Sequence, residues 1–152
     1  IVGGGLDDVW LNQDTEKIHV VEYKSTSSKK PGKKMTVEDP WKISYRRQVE
    51  LYQWILRRNG FDVSDTVYFL YCDGDRFDDR DFLRQEDAVM QFKMSLFEYE
   101  GDDSWVEDTL FAIKETLLLP HCPEHAQTGF GIAGDLPCEY GVLLKGAKDQ
   151  GL

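Results

Sequence analysis

At 152 residues, with 41% hydrophobic and 30% charged side chains, the chain suits one globular domain that buries about two-thirds of its unfolded surface. No apolar run approaches the roughly 20 residues that span a bilayer, and no signal-peptide pattern opens the chain, so a cytoplasmic protein with no membrane partner is expected. Three widely spaced cysteines, Cys72, Cys122 and Cys138, argue against a secreted disulfide framework, and a formal net charge of -10 argues against a uniformly basic nucleic-acid binder.

The chain opens on Ile1-Val2-Gly3-Gly4-Gly5 without a starting Met, which predicts a longer protein whose preceding part lies outside this chain. Gly4 to Leu11 and Ile18 to Lys24 have strand composition, and the polar stretch from Asn12 to Lys17 has that of a turn. Side chains alternate along a strand, so Ile18, Val20, Glu22 and Lys24 share one face, with Glu22 and Lys24 roughly 7 Å apart. If a loop from Gln13 to Glu16 closes the hairpin, Asn12 pairs with Lys17 and Asp7 falls opposite Glu22, where Cβ atoms are about 5 Å apart.

Two carboxylates so close need a cation between them, a proton or the neighbouring lysine. Mg²⁺ takes carboxylate oxygens and keeps several waters, which suits one or two carboxylates beside a phosphate substrate. Lys24 can then serve the attacking water or steady charge on the phosphate. These residue types suit metal-assisted phosphodiester hydrolysis. The plainer alternative is a solvated ion pair between Glu22 and Lys24 on a half-exposed strand, worth little.

Ser25 to Lys34 is polar and basic, carries Pro31-Gly32 and has no hydrophobic period, so it predicts a loop. A helix follows from about Trp41 to Asn59, stopped by Asn59-Gly60, with Trp41, Tyr45, Val49, Tyr52 and Leu56 as its core stripe and Ile55 on the edge. Gln48 and Tyr52 are one turn apart on the same flank; taken alone they are a boundary residue and a core aromatic. Asp65 to Cys72 predicts a central strand buried on both faces, which makes Cys72 an inert buried thiol.

The acidic connection from Asp73 to Asp81 lacks the glycine and glutamate of a calcium-binding EF-hand loop and is expected to be a solvated loop. Ala88 to Tyr99 predicts another strand. A helix from about Ser104 to Leu118 is capped by Asp102 or Asp103 and turns Trp105, Leu110, Ile113 and Leu117 inward. This order predicts an α/β fold, a mixed central sheet with flanking helices, in a single domain over 1–152 with a core over 1–118. Residues 119–152 are rich in Gly and Pro and predict an irregular tail. There Cys122, His125 and Cys138 supply three ligands, one short of a closed zinc site.

Charge is unevenly spread. Between Lys24 and Arg58 ten Lys or Arg stand against three acids, a balance of +7, which leaves -17 on the remainder. A basic strip beside an acidic hairpin is compatible with phosphate binding, as it is with a merely solvated loop at Lys29 to Lys34.

Three blocks occur in order: Gly4-Gly5-Leu6-Asp7, Glu22-Tyr23-Lys24, and Gln48-Val49-Glu50-Leu51-Tyr52 on a helix. In this the chain resembles the PD-(D/E)XK nuclease superfamily, specifically its RecB-like branch, closely over the first 60 residues and in sheet order to about Leu118. The resemblance implies a restriction-endonuclease-like fold in which Asp7 and Glu22 ligate Mg²⁺ or Mn²⁺ and the Tyr23 backbone carbonyl adds a ligand. It also makes Lys24 the catalytic lysine and Gln48 and Tyr52 the Gln-x-x-x-Tyr pair that lines the site and places nucleic acid. A hydrophobic residue before the aspartate selects Asp7 after Leu6, with Asp8 as the fallback.

Many relatives add a glutamate or histidine from a preceding helix, which would lie outside this chain. Some hold an iron-sulfur cluster through one upstream and three C-terminal cysteines. Here Gly141 stands where the second cysteine of a Cys138-x-x-Cys would be, so no intact cluster is expected. The function expected is metal-dependent hydrolysis of DNA phosphodiester bonds. The alternatives are a catalytically inactive protein of the same fold that binds nucleic acid or a protein partner, and a scaffold module whose motif residues are relics.

Overall fold

The computed structural model describes residues 1–27, 36–75, 83–84, 87–88, 91–121 and 139–150. Strands β1 (Asp8–Leu11), β2 (Ile18–Thr26), β3 (Thr66–Asp75) and β6 (Gln91–Glu100) form one sheet in the order β1-β2-β3-β6. β4 (Leu83–Arg84) and β5 (Asp87–Ala88) form a separate small pair. The helices are α1 (Ile43–Arg58), α2 (Val106–Leu117) and α3 (Glu139–Asp149). β1 and β6 run antiparallel to their neighbours, whereas β2 and β3 run parallel, so the connection through α1 must return the chain to the same end of the sheet. The result is the mixed α/β sheet expected.

The hairpin closes as its loop length requires. Asn12 N–H donates to Lys17 O at 3.0 Å, and Asn12 Oδ1 accepts the N–H groups of Asp14 and Thr15 at 2.9 and 3.1 Å. Glu16 takes a left-handed φ of 58° to complete the turn. The ladder then pairs Leu11 with Ile18, Trp10 with His19, Val9 with Val20 and Asp8 with Val21. β1 begins at Asp8 rather than at Gly4, because the backbone at Gly4 packs on the Tyr52 ring: a Cβ there would lie 2.5 Å from Tyr52 Cε1.

Alternation along β2, β3 and β6 sorts side chains onto two faces. The inner face carries Val20, Val67, Phe69 and Tyr71, all within 2% of full burial, and α1 lays Val49 over them with Tyr45, Tyr52 and Leu56 at the edges. Each such fully buried Val or Phe contributes on the order of 1.5–3 kcal/mol. α1 ends as Asn59-Gly60 predicts: Gly60 adopts a φ of 88°, its N–H meets Arg57 O, and Phe61 N–H reaches back to Leu56 O, the pairing of a Schellman cap.

Several expectations need correction. Trp41 is 56% exposed, because Pro40–Lys42 forms a 3₁₀ turn whose tighter pitch swings it off the stripe of α1. β3 is central, but only its inner face is dry; Tyr68, Leu70 and Cys72 are half-buried, so Cys72 is a partly accessible free thiol. Neither Asp102 nor Asp103 caps α2 with its side chain at the N-cap, which is Trp105. Asp102 Oδ1 accepts from Ser104 N–H, and Asp103 pairs with Arg57. In α2 only Val106 is buried, whereas Ile113 and Leu117 are 50% and 79% exposed, since its packing against α1 is confined to the first turns. The tail is not irregular throughout, for α3 is an 11-residue helix. The loops predicted over Ser25 to Lys34 and Asp73 to Asp81 begin later than expected, because Ser25 and Thr26 extend β2 and Asp73 to Asp75 extend β3, paired with β3 and β6 respectively. The rest of the acidic loop from Arg76 and the basic residues Lys29 to Lys34, like Cys122, His125 and Cys138, lie outside the described residues.

Candidate functional site

β2 places Glu22 and Lys24 on the inner face, under α1, as their two-residue spacing requires. The ladder ends where Asp8 pairs with Val21, and Asp7 is the exposed bend residue just before it, one position short of the pairing with Glu22 that the sequence predicts. Asp7 Oδ2 accepts the Tyr23 N–H at 2.8 Å, which pins Asp7 across the hairpin. The N–H and C=O of one strand residue project to the same side, so the Tyr23 carbonyl faces the edge where Asp7 lies.

Asp8 is placed differently. It shares the outer face with Val21, and its carboxylate accepts from the Tyr23 hydroxyl at 2.6 Å, the Val9 N–H at 2.8 Å and the Trp10 indole at 3.2 Å. Those donors, the Tyr23 hydroxyl first, hold the Asp8 carboxyl below its ordinary value and, reciprocally, raise the Tyr23 phenol. Asp8 is thus occupied by neighbours and turned away from Glu22.

Glu22 is only 2% exposed. Its Oε1 accepts from Lys24 Nζ, while Oε2 is buried with no hydrogen-bond partner among the described residues. Lys24 Nζ also donates to Gln48 Oε1 at 3.1 Å, and Gln48 Nε2 donates to the Tyr52 hydroxyl at 3.1 Å. One polar chain therefore runs from β2 into α1, through residues that the helical spacing had set on one flank. Gly4 closes it, because only a residue without Cβ lets the backbone ahead of Asp7 lie on the Tyr52 ring. The contact between Gly4 and Tyr52 has no signal in composition or periodicity.

An orphaned, buried carboxylate oxygen is costly. Glu22 Oε2, Asp7 and the Tyr23 carbonyl are all oxygen donors, the type that Mg²⁺ and Mn²⁺ prefer. Among the described residues no group of three or more His, Cys, Asp or Glu gathers. The residues present fit a hard divalent cation.

The positive charge of α1 is largely answered locally. Lys42 pairs with Asp39, Arg46 with Glu38, Arg57 with Asp65 and Asp103, and Arg58 with Glu107, while Arg47 lies 5.9 Å from the Trp105 ring. Among the described residues, Lys42, Arg46, Arg57 and Arg58 of the basic stretch are thus each paired with a carboxylate. Tyr71, beside Lys24 on the inner face, has its phenol pushed up to about 12, chiefly by burial.

A second buried carboxylate escaped the sequence reading. Glu50 accepts from Tyr99 Oη at 2.5 Å, Trp105 Nε1 at 2.7 Å and Asp102 N at 3.5 Å, and so ties α1 to β6 and the start of α2. Its partners lie about 50 positions away, beyond the reach of any local pattern. An apolar cleft of about 410 Å³, lined by Ile1, Val2, Trp54, Phe111 and Leu117 among others, opens between the chain start, α1 and α2 and shares no residue with the site. No described helix is long and apolar enough to cross a membrane. Comparison of the chain with family models, with curated proteins and with solved structures finds no match.

Proposed function

We propose that this chain is a Mg²⁺- or Mn²⁺-dependent nuclease of the RecB-like PD-(D/E)XK type, with a restriction-endonuclease-like core, that hydrolyses DNA phosphodiester bonds in the cytoplasm. The observation that carries this reading is Glu22 Oε2, a buried carboxylate oxygen without a hydrogen-bond partner among the described residues, one position from the Tyr23 N–H that holds Asp7, while its sister oxygen is held by Lys24. Asp7, Glu22 and the Tyr23 carbonyl would hold the cation, which supplies Lewis acidity at the scissile phosphate when bound.

The protein's own share is positional. Glu22 and Gln48 fix the Lys24 ammonium, whose charge steadies the negative charge that builds on the phosphate as water adds and the P–O ester bond breaks. Tyr52 holds the Gln48 amide so that its oxygen, rather than its nitrogen, faces the lysine. The same alignment supports the resemblance noted in the three sequence blocks.

One observation favours a second reading, a catalytically inactive protein of this fold that binds nucleic acid or a protein partner. The ion pair with Lys24 already neutralises Glu22 without a metal. Calorimetric titration with Mn²⁺ separates the two. Binding by the unmodified chain that disappears in both Asp7→Ala and Glu22→Ala, together with metal-dependent DNA cleavage, is the expected result. Cleavage that survives Glu22→Ala in a contaminant-free preparation would sink the nuclease assignment.

A further inference from the structure

Tyr45 enters the sequence as one member of the apolar stripe of α1, yet its ring also meets a charge. The Lys24 ammonium lies 4.6 Å from the centroid of that ring, within the range of a cation–π contact. Tyr45 stands three positions before Gln48, so the two side chains leave α1 over neighbouring turns and face the same point of β2. Three groups therefore surround the ammonium: the Glu22 carboxylate, the Gln48 amide oxygen and the Tyr45 ring face. Lys42, in the 3₁₀ turn before α1, is taken up by Asp39 and the Thr36 carbonyl and lies 5.5 Å from the Tyr71 ring, whereas the Tyr45 ring meets Lys24.

The consequence falls on Glu22. A lysine fixed on Oε1 leaves Oε2 to a cation, whereas a lysine free to slide across the carboxylate competes for both oxygens. We infer that Tyr45 is the positioning residue of Lys24, its ring holding the ammonium on Glu22 Oε1 and so keeping Oε2 open. The effect on metal and turnover rests on the nuclease reading; the placement of the ammonium does not. The attraction comes from the ring quadrupole, so phenylalanine serves as well as tyrosine and an aliphatic side chain does not.

The test begins with the unmodified full chain, carrying ¹³C-labelled lysine, with the Lys24 signal identified by its loss in Lys24→Arg. Its ε-methylene protons should resonate upfield of the other lysines, shifted by the ring current. They should stay there in Tyr45→Phe and join the others in Tyr45→Leu. In parallel, Tyr45→Leu should weaken Mn²⁺ binding and lower kcat by roughly three- to tenfold with little change in KM, and Tyr45→Phe should retain both. An unshifted Lys24 signal in the unmodified chain overturns the inference, as does an equal effect of Phe and Leu. Absence of Mn²⁺ binding and cleavage by the unmodified chain defeats the nuclease reading instead, and the ring-current shift then decides the role of Tyr45 alone.

Discussion

Two glutamates lie buried where α1 packs on the sheet, Glu22 on β2 and Glu50 on α1 itself, and their surroundings could hardly differ more. Glu50, 6% exposed, has a donor for each oxygen: Tyr99 and the Asp102 N–H on one, Trp105 on the other. Glu22, 2% exposed, has a lysine on one oxygen and, among the described residues, no hydrogen-bond partner on the other. A buried carboxylate whose lone pairs are all answered is a tie between elements. One left half-answered in the same core is what a cation site would need, so the proposed function rests on Glu22 and the stability of the α1–β6 contact on Glu50.

Matched isosteric changes break or sharpen that contrast. Glu22→Gln removes the charge yet keeps an acceptor for Lys24. It should lower cleavage on the order of 10²- to 10³-fold and abolish Mn²⁺ binding by calorimetry. Its unfolding free energy in urea should stay within about 1 kcal/mol of the parent. Glu50→Gln should do the reverse. An amide has one acceptor oxygen: with it on Trp105, the amide nitrogen faces the Tyr99 hydroxyl, whose own proton loses its acceptor along with the Asp102 N–H, and stability should fall by about 1–3 kcal/mol while Mn²⁺ affinity is retained. A stable Glu50→Gln with impaired metal binding would erase the distinction.

The tyrosines beside the two carboxylates extend it to pH. Burial raises the Tyr71 phenol from 10.0 to about 12. Burial, followed by the hydrogen bond to Glu50, raises the Tyr99 phenol further still. Both stay protonated in the folded chain where the unfolded chain has begun to ionise. Their contribution to stability is complete below the unfolded value of 10.0 and is lost as pH rises from there through the folded values. Stability measured along that alkaline range should decline. Phenolate absorbance in Glu50→Gln should show Tyr99 titrating at lower pH while Tyr71 is unmoved.

The smallest effect lies in the hairpin that carries the site. Glu16 holds a φ of 58°, a conformation that glycine adopts without steric cost. Glu16→Gly should raise stability by about 0.5–1 kcal/mol in urea denaturation without altering Mn²⁺ affinity, because the turn sets the register but does not touch the cation site.

Much of the site's scaffold was legible in the chain. A four-residue loop with Asn12 before it sets a register, the register pairs Asp8 with Val21, and strand parity sets Lys24 beside Glu22. Helical spacing likewise put Gln48 and Tyr52 on one flank. These are short-range facts, and backbone geometry alone decides them. Legibility failed where the deciding partner was distant. Trp41 and the outer half of α2 looked like core, but an apolar side chain is buried only if another element arrives to cover it, and among the described residues none does.

What the sequence by itself determined, then, is the order of elements, the hairpin register and which face each candidate side chain takes, because periodicities of 2.0 and 3.6 residues follow from local backbone sterics. Only the tertiary structure decided which carboxylate is answered and which is open. That depends on Tyr99 and Trp105 reaching Glu50 from about 50 positions away, and on α1 crossing β2 so that Gln48 and Tyr45 meet Lys24. Hydrogen bonding of buried groups is settled by what packing brings within 3 Å, and no local pattern encodes that distance.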